Sequence, residues 1–338
     1  MLNNNFRFRL ELSAPDTSII GFGPLEVDWE PAVECAEFEA MRMGQLPPVY
    51  GETDCTVEPV WHETLGEPTV AGFRLAFDGD RSRDEFQSSP FSLGYFEAAI
   101  LAAGAEHHQS ESASEHEKLR YRVLAFGPTE KEPTAFKFET EDVAQPLPLR
   151  SSSLPAARAN ATATGETAED SIPVFVPALL LEEIAELSRS AGEKETGGIL
   201  IGHLHRDDDE NEIFASVTTQ LSAQHTEAEL MKLTFTSETW TDVRHALELR
   251  RQEEIMLGWW HSHPARAWCK DCSLESQQQC RYARGFFSSH DRALHRTMFP
   301  RAYSLALVVN DVAFGQPSFS MFGWKEGGIV ERDFYVVR

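Results

Sequence analysis

The chain reads GWWHSHP from Gly258 to Pro264, at the end of an apolar run. Successive side chains of a β-strand point to opposite faces, so His261 and His263 are expected on one face of a strand. Pro264 ends that strand, because proline has no backbone N–H to donate to a neighbour. Two imidazoles on one face suit a single metal ion. The alternative is a pair of strand histidines whose ring nitrogens are satisfied by hydrogen bonds within the protein.

Acidic side chains that would complete a metal site occur before and after this stretch. A catalytic zinc typically has three protein ligands and an open position for water. Asp291 is the candidate third ligand, although its place three residues after Ser288 also resembles a helix-capping box. The two roles are compatible, because a helix N-terminus stabilises a carboxylate. Glu195 directly precedes a buried Gly-Gly-Ile-Leu strand and is the candidate general base, with Glu193 as the competing surface charge.

The composition is that of a soluble globular protein with a strongly acidic balance, 54 Asp and Glu against 30 Lys and Arg in 338 residues. A net charge of −24 repels a phosphate backbone, so we expect no nucleic-acid partner. No apolar run approaches the ~18 residues of a membrane span, and the N-terminus alternates like a strand rather than a signal peptide. These features predict a cytoplasmic protein with no membrane partner.

The hydrophobic patterns predict an α/β (α+β) protein of two domains. Residues 1–148 mix strand and helix patterns and predict a separate N-terminal α+β domain. Residues 149–170 are rich in Ser, Ala, Thr and Pro and poor in large apolar side chains, which predicts a flexible low-complexity linker. Residues 171–338 predict a mixed β-sheet flanked by helices, with the chemistry at the ends of strands.

Three motifs in residues 171–338 occur in the order found in a known family. They are ETGGILIG from Glu195, HSHP from His261 and FFSSHD from Phe286. Together they resemble the JAMM (MPN+) zinc metalloproteases of prokaryotic type, relatives of the zinc isopeptidases (deubiquitinases) of the ubiquitin system. A lone HSHP is weak evidence, whereas the three motifs in this order are strong evidence. The resemblance implies an MPN/JAMM-like fold for this segment.

The resemblance also implies a role for each motif residue. The catalytic zinc ligands would be His261, His263 and Asp291. Glu195 would be the general base for the zinc-activated water that attacks the amide carbonyl. Ser288 would be the second catalytic residue, a hydrogen-bond donor to the oxyanion.

The segment between the second and third motifs departs from the family pattern. Ser288 lies twenty-five positions after His263, which is farther than in the family. The extra length contains Cys269, Cys272 and Cys280, candidates for a second, structural zinc whose fourth ligand is not apparent. The alternatives are three reduced cysteines, a labile disulfide between the first two, or a thiolate that blocks the catalytic zinc.

The residues alone lead as far as a zinc hydrolase of amide bonds. The resemblance adds a metallopeptidase that cleaves ubiquitin-like modifiers from conjugates or trims their C-terminal tails. The N-terminal domain would then recognise a ubiquitin-like protein, its conjugate or a companion conjugating enzyme. Two alternatives remain open: a processing peptidase for the precursor of a sulfur-carrier protein, and a catalytically inactive MPN-type binding scaffold.

Overall fold

The chain folds into two compact units. One comprises Met1–Leu147 with Glu326–Gly328, and the other Pro148–Lys325 with Ile329–Arg338. The computed structural model describes residues 2–3, 6–14, 18–50, 54–62, 69–77, 86–110, 119–127, 145–165, 171–223, 226–229, 232–268, 273, 285–310 and 317–338. Among the helices in these ranges, none combines the length and apolar character that crossing a membrane requires.

The first unit contains small sheets and two α-helices. Its strands are β1 (Leu2–Asn3), β2 (Arg7–Ser13), β3 (Ile19–Pro24), β4 (Val49–Tyr50), β5 (Cys55–Trp61), β6 (Val70–Phe77), β7 (Phe86–Gln87), β8 (Phe91–Ser92), β9 (Arg120–Phe126) and β10 (Gln145–Pro146). Its α-helices are α1 (Glu30–Arg42) and α2 (Glu97–Ser110), the latter preceded by a 3-10 turn. Strands β3, β2 and β9 form an antiparallel sheet, and β5 and β6 form the centre of another.

Aromatic rings dominate the core of the first unit. Trp29 packs edge-on against Phe73 with ring centroids 4.8 Å apart, and Phe73 stacks on Phe91 at the same distance. Phe8 and Phe96 complete the cluster. Each such side chain buries a large apolar area, so the cluster supplies a core for this unit.

The second unit is built on one large mixed sheet. Its strands are β11 (Leu149–Ser151), β12 (Ala161–Ala163), β13 (Val174–Pro177), β14 (Gly197–Asp207), β15 (Glu212–Ser222), β16 (Thr226–Glu229), β17 (Lys232–Phe235), β18 (Ile255–His263), β19 (Leu305–Asn310), β20 (Ser318–Lys325), β21 (Gly328–Arg332) and β22 (Tyr335–Val337). Its helices are α3 (Leu154–Ala159), α4 (Ala178–Ala191), α5 (Ser237–Arg250), α6 (Ala265–Trp268) and α7 (Ser289–Met298).

The central strands of this sheet place the residues of the three motifs. The strand order is β12-β22-β13-β15-β14-β18-β19-β20-β21, with β11 beside β14 and a separate β16–β17 hairpin. Strand β18 runs antiparallel to β14 and parallel to β19. Helix α4 buries one face, including Leu180, Leu181 and Ile184, and ends where Gly192 adopts a positive φ. The expected α+β fold with a mixed sheet and helices is confirmed.

The flexible linker expected at residues 149–170 is wrong for its described part, residues 149–165. Strand β11 pairs with β14, α3 follows, and β12 pairs with β22. The Ser153 hydroxyl caps α3, and the backbone N–H of Leu154 donates to the Asp207 carboxylate at 2.6 Å. Leu154 is 2% exposed, so this one apolar side chain and the paired strands order a segment of polar composition. Residues 166–170 lie outside the described ranges.

Candidate metal centre

Strand β18 delivers both motif histidines to the middle of the sheet. His261 is 0% exposed and His263 is 2% exposed, with β14 on one side of the strand and β19 on the other. Gly258 allows this arrangement, because a Cβ there would overlap the carbonyl oxygen of Leu305 on β19. The close approach of the two backbones fixes β18 just before the histidines.

Three ligand atoms of the described residues converge at this point. The Nε2 atoms of His261 and His263 lie 3.0 Å apart. The carboxylate of Asp291 places Oδ1 at 3.5 Å from Nε2 of His261 and Oδ2 at 4.0 Å from Nε2 of His263. All three side chains are buried, and their ligand atoms lie within 4.8 Å of one another. This spacing suits one metal ion held by two imidazoles and a carboxylate.

Helix α7 positions Asp291 through a reciprocal capping box. The Ser288 hydroxyl accepts a hydrogen bond from the Asp291 N–H at 3.1 Å, and the Asp291 carboxylate accepts one from the Ser288 N–H at 2.7 Å. Burial opposes ionisation of the carboxylate, but His261 and the hydrogen bonds from Ser288 outweigh it and lower the pKa of Asp291. Asp291 therefore caps the helix and also faces the histidines as an anion.

Aromatic side chains hold the two imidazole rings. Trp259 stacks on His261 with centroids 4.6 Å apart, and Phe286 stacks on His263 at 4.3 Å. Burial, reinforced by the neighbouring His261, lowers the pKa of His263 to about 3. His263 is therefore neutral at physiological pH, the form in which imidazole binds a metal.

Glu195 is brought to the same site by a link between β14 and β18. The Ser262 hydroxyl accepts a hydrogen bond from the Thr196 N–H at 3.0 Å, and the Ser262 N–H donates to the Thr196 carbonyl at 2.8 Å. In a regular antiparallel pair the Ser262 carbonyl would accept the first of these bonds. The hydroxyl takes its place, so the strand pairing ends here and the adjoining Glu195 is fixed beside the histidines.

The environment of Glu195 differs from that of the competing Glu193. Glu195 is 6% exposed, whereas Glu193 is exposed to solvent. Burial, with a contribution from Asp291, raises the pKa of Glu195 from 4.5 to about 7, although His261 opposes the shift. A carboxyl group with such a pKa can both accept and return a proton near neutral pH.

Zinc fits this set of residues. Two imidazole nitrogens face each other, a carboxylate lies beside them, and the three donors are those of zinc sites with an open position. The second ring nitrogens of both histidines are buried, and neither makes a hydrogen bond of regular geometry within the described residues. Cys269, Cys272 and Cys280 lie outside the described residues, so the second zinc stays a prediction.

Residues 171–284 match the family model described as JAB1/Mov34/MPN/PAD-1 ubiquitin protease. The chain carries a JAB/MPN domain. This confirms the JAB/MPN assignment that the motifs indicated for this segment. The match includes Glu195 and both histidines of the JAB/MPN domain and ends before Ser288 and Asp291, which the fold brings to the histidines.

Among the solved structures with some likeness is the solution structure of protein DSY2949 from Desulfitobacterium hafniense. It is 19% identical, the likeness covers 48% of this chain and 92% of that chain, and the TM-score is 0.33. So low a TM-score supports no argument. No curated protein matches the sequence.

Proposed function

We propose that the JAB/MPN domain is a zinc-dependent isopeptidase or peptidase that cleaves ubiquitin-like modifiers from conjugates or trims their C-terminal tails. The observation that carries the proposal is the convergence of His261, His263 and Asp291 beside a buried Glu195. A bare metal site needs no such carboxyl group. A hydrolase needs a proton acceptor with a pKa near the working pH.

Metal binding and proton transfer are assigned to different side chains. His261, His263 and Asp291 would hold the zinc, which when bound polarises the scissile carbonyl and lowers the pKa of water. Glu195 takes a proton from the attacking water as the oxygen bonds to the carbonyl carbon. It then delivers that proton to the leaving nitrogen as the C–N bond breaks, so the carboxylate is regenerated.

Ser288 is the proposed donor to the oxyanion. Its oxygen already accepts the Asp291 N–H at 3.1 Å, which fixes the hydroxyl at the start of α7. A hydroxyl group can accept and donate at the same time, so its hydrogen would be directed to the negative oxygen of the tetrahedral intermediate. The capping and catalytic roles of Ser288 therefore use different parts of one group.

The proposed substrates follow from the bond and the family. A ubiquitin-like protein ends in an extended tail that fits a narrow site, and its conjugate presents an amide bond at the end of the tail. The N-terminal unit is proposed to recognise the modifier, the conjugated target or a companion conjugating enzyme. A sulfur-carrier precursor would present the same kind of bond, and an MPN-type scaffold would bind the modifier without cutting it.

The test is cleavage of ubiquitin-like modifiers fused to a reporter protein, with and without a zinc chelator. Glu195→Gln should lower kcat by about 10²–10⁴-fold, the usual contribution of a general base. Glu193→Gln is the matched control, because it removes an exposed carboxylate two residues away and should leave kcat unchanged. Cleavage that survives both the chelator and Glu195→Gln would exclude the mechanism. Tight modifier binding without cleavage by the zinc-loaded protein would establish the scaffold.

A further inference from the structure

Asn310 is a buried polar residue beside the candidate metal centre that the proposed mechanism does not use. It is the last residue of β19 and is 0% exposed. In the parallel pairing of β18 and β19, Asn310 lies directly opposite His263. Residues at opposite positions of neighbouring strands project from the same face of a sheet. The short amide side chain therefore lies next to the base of the His263 imidazole.

Asn310 and His263 each carry buried polar atoms that could form a hydrogen bond with the other residue. Within the described residues, neither Oδ1 nor Nδ2 of Asn310 makes a hydrogen bond of regular geometry, and neither does Nδ1 of His263. Buried polar groups without partners are rare in folded proteins, because desolvation is not offset.

The geometry of the rings identifies the nitrogen involved. Nε2 of His263 faces Nε2 of His261 at 3.0 Å, so this nitrogen is the one that is directed into the metal site. Nδ1 is bonded to the ring carbon that joins the side chain to the backbone, so it is the ring nitrogen closer to a short side chain at the paired position of the adjacent strand. A neutral imidazole carries one hydrogen, and Nε2 can bind a metal only if that hydrogen is on Nδ1.

We propose that Asn310 is a positioning residue for His263: its amide oxygen accepts the Nδ1–H and holds the ring with the Nε2 lone pair directed at the metal. The proposal rests on the zinc site of the proposed function. Such partners behind a ligand histidine fix its tautomer and raise its basicity.

The residues around the two histidines explain why Asn310 is proposed to bond His263 and not His261. The residue of β19 opposite His261 is Val308, which has no polar side chain. Trp259 instead stacks on the His261 ring. Asn310 is also enclosed, because a Cβ at Gly285 would overlap the Ser320 hydroxyl and come within 3.3 Å of the Asn310 Nδ2. Gly285 therefore closely bounds the Nδ2 side of the Asn310 amide.

The test compares zinc affinity in three variants of the full chain. Asn310→Leu keeps the approximate volume and removes the acceptor. Asn310→Asp keeps an acceptor oxygen at the same position. Val309→Ala is the control, because it trims the same strand at the neighbouring position opposite Ser262. Zinc dissociation constants come from competition with a chromophoric chelator, and the visible spectrum of the cobalt-substituted protein reports ligand geometry.

Asn310→Leu should weaken zinc binding about 10–100-fold, the usual effect of losing a partner behind a ligand histidine. It should alter the cobalt spectrum without lowering the unfolding temperature of the chelator-treated protein. Asn310→Asp should recover most of the affinity, and Val309→Ala should bind zinc like the wild type. If Asn310→Leu does not fold, Asn310→Ala replaces it with the same expected outcomes.

Equal zinc affinity in the wild type and the acceptor-free variant would overturn the role of Asn310 and leave the proposed function intact. A wild-type protein that binds no zinc would overturn the proposed function, and the role of Asn310 with it. An affinity loss that Asn310→Asp fails to reverse, accompanied by a lower unfolding temperature after chelation, would show a packing role instead.

Discussion

Ser262 lies between the two histidines, yet its contacts are with Thr196, the neighbour of the proposed general base Glu195. Its hydroxyl receives the Thr196 N–H, which ends the pairing of β14 with β18 beside Glu195. Ser262→Ala removes this acceptor, and we expect kcat to fall about 100-fold, because misplacing a catalytic group by ~1 Å has an effect of that size. Zinc affinity should be unchanged, since His261 and His263 keep their strand. Steady-state kinetics with parallel zinc titration measure both quantities.

Ser262→Thr is the matched variant for this prediction. Threonine retains the hydroxyl, so it should recover most of the activity, whereas a packing role for Ser262 would make the larger side chain the worse replacement at a position that is 1% exposed. Equal loss of zinc affinity and of activity in Ser262→Ala would contradict the link to Glu195.

Glu195 should make the stability of the metal-free protein depend on pH. Its pKa is about 7 in the folded state against an ordinary value of 4.5, so the folded protein binds the proton more tightly than the unfolded chain. Wild-type stability should therefore fall as pH rises from about 4.5 to about 7. Above pH 7, Glu195→Gln should be the more stable by about 3 kcal/mol, and the difference should vanish below pH 4.5.

Denaturant unfolding of chelator-treated protein at pH 4.5 and pH 8 measures this difference. Glu193→Gln provides the reference, because it makes the same chemical change at an exposed position two residues away. If Glu195→Gln differs from the wild type by the same free energy of unfolding at both pH values, burial does not shift the pKa of Glu195.

At the scale of single residues, the sequence predicted the side chains that carry local motifs. The His-x-His spacing and the serine three residues before Asp291 are short-range patterns, and the structure brings these residues together. Ser262 and Asn310 were not predicted to have roles. Their partners are on other strands, so their contacts depend on the register of β18 with β14 and β19. Short-range spacing carries no information about that register.

At the scale of elements, the segment β11–α3–β12 is a part of the sheet that composition did not reveal. Its ordering depends on strand partners distant in sequence and on one buried side chain, Leu154. A local excess of Ser, Ala and Thr shows only that the segment cannot form a core by itself. The strands β14, β18 and β19 were predictable by contrast, because each carries its own apolar run.

Leu154→Ala should destabilise the second unit by about 2–5 kcal/mol, the range for truncating a buried leucine. The side chain is 2% exposed and packs against Phe175 and Phe214. Ser152→Ala is the control, because Ser152 is exposed and its backbone N–H donates to the Arg206 carbonyl in either case. Chemical unfolding followed by tryptophan fluorescence measures the difference, and equal stability of the two variants would restore the idea of a flexible linker.

At the scale of the whole molecule, the net charge of −24 is the feature most relevant to a protein partner. Charge of one sign speeds the encounter with a partner of the opposite sign and has less effect on the contacts made after docking. A modifier or target that meets this protein productively should therefore present a basic surface. The proposed chemical step at Glu195 would occur in a buried site, where dissolved salt screens charges much less.

The acidic net charge and the burial of the site predict that salt affects kcat/KM and kcat differently. With a basic ubiquitin-like fusion as substrate, kcat/KM should fall steeply as ionic strength rises from about 0.01 M to about 0.15 M, over which the screening length shrinks from about 30 Å to about 8 Å. The value of kcat should stay nearly constant. A short uncharged peptide ending in the same amide bond is the control, because it has no field to respond to. A parallel loss of kcat/KM for both substrates would place the salt effect in the active site and remove the argument for a basic partner.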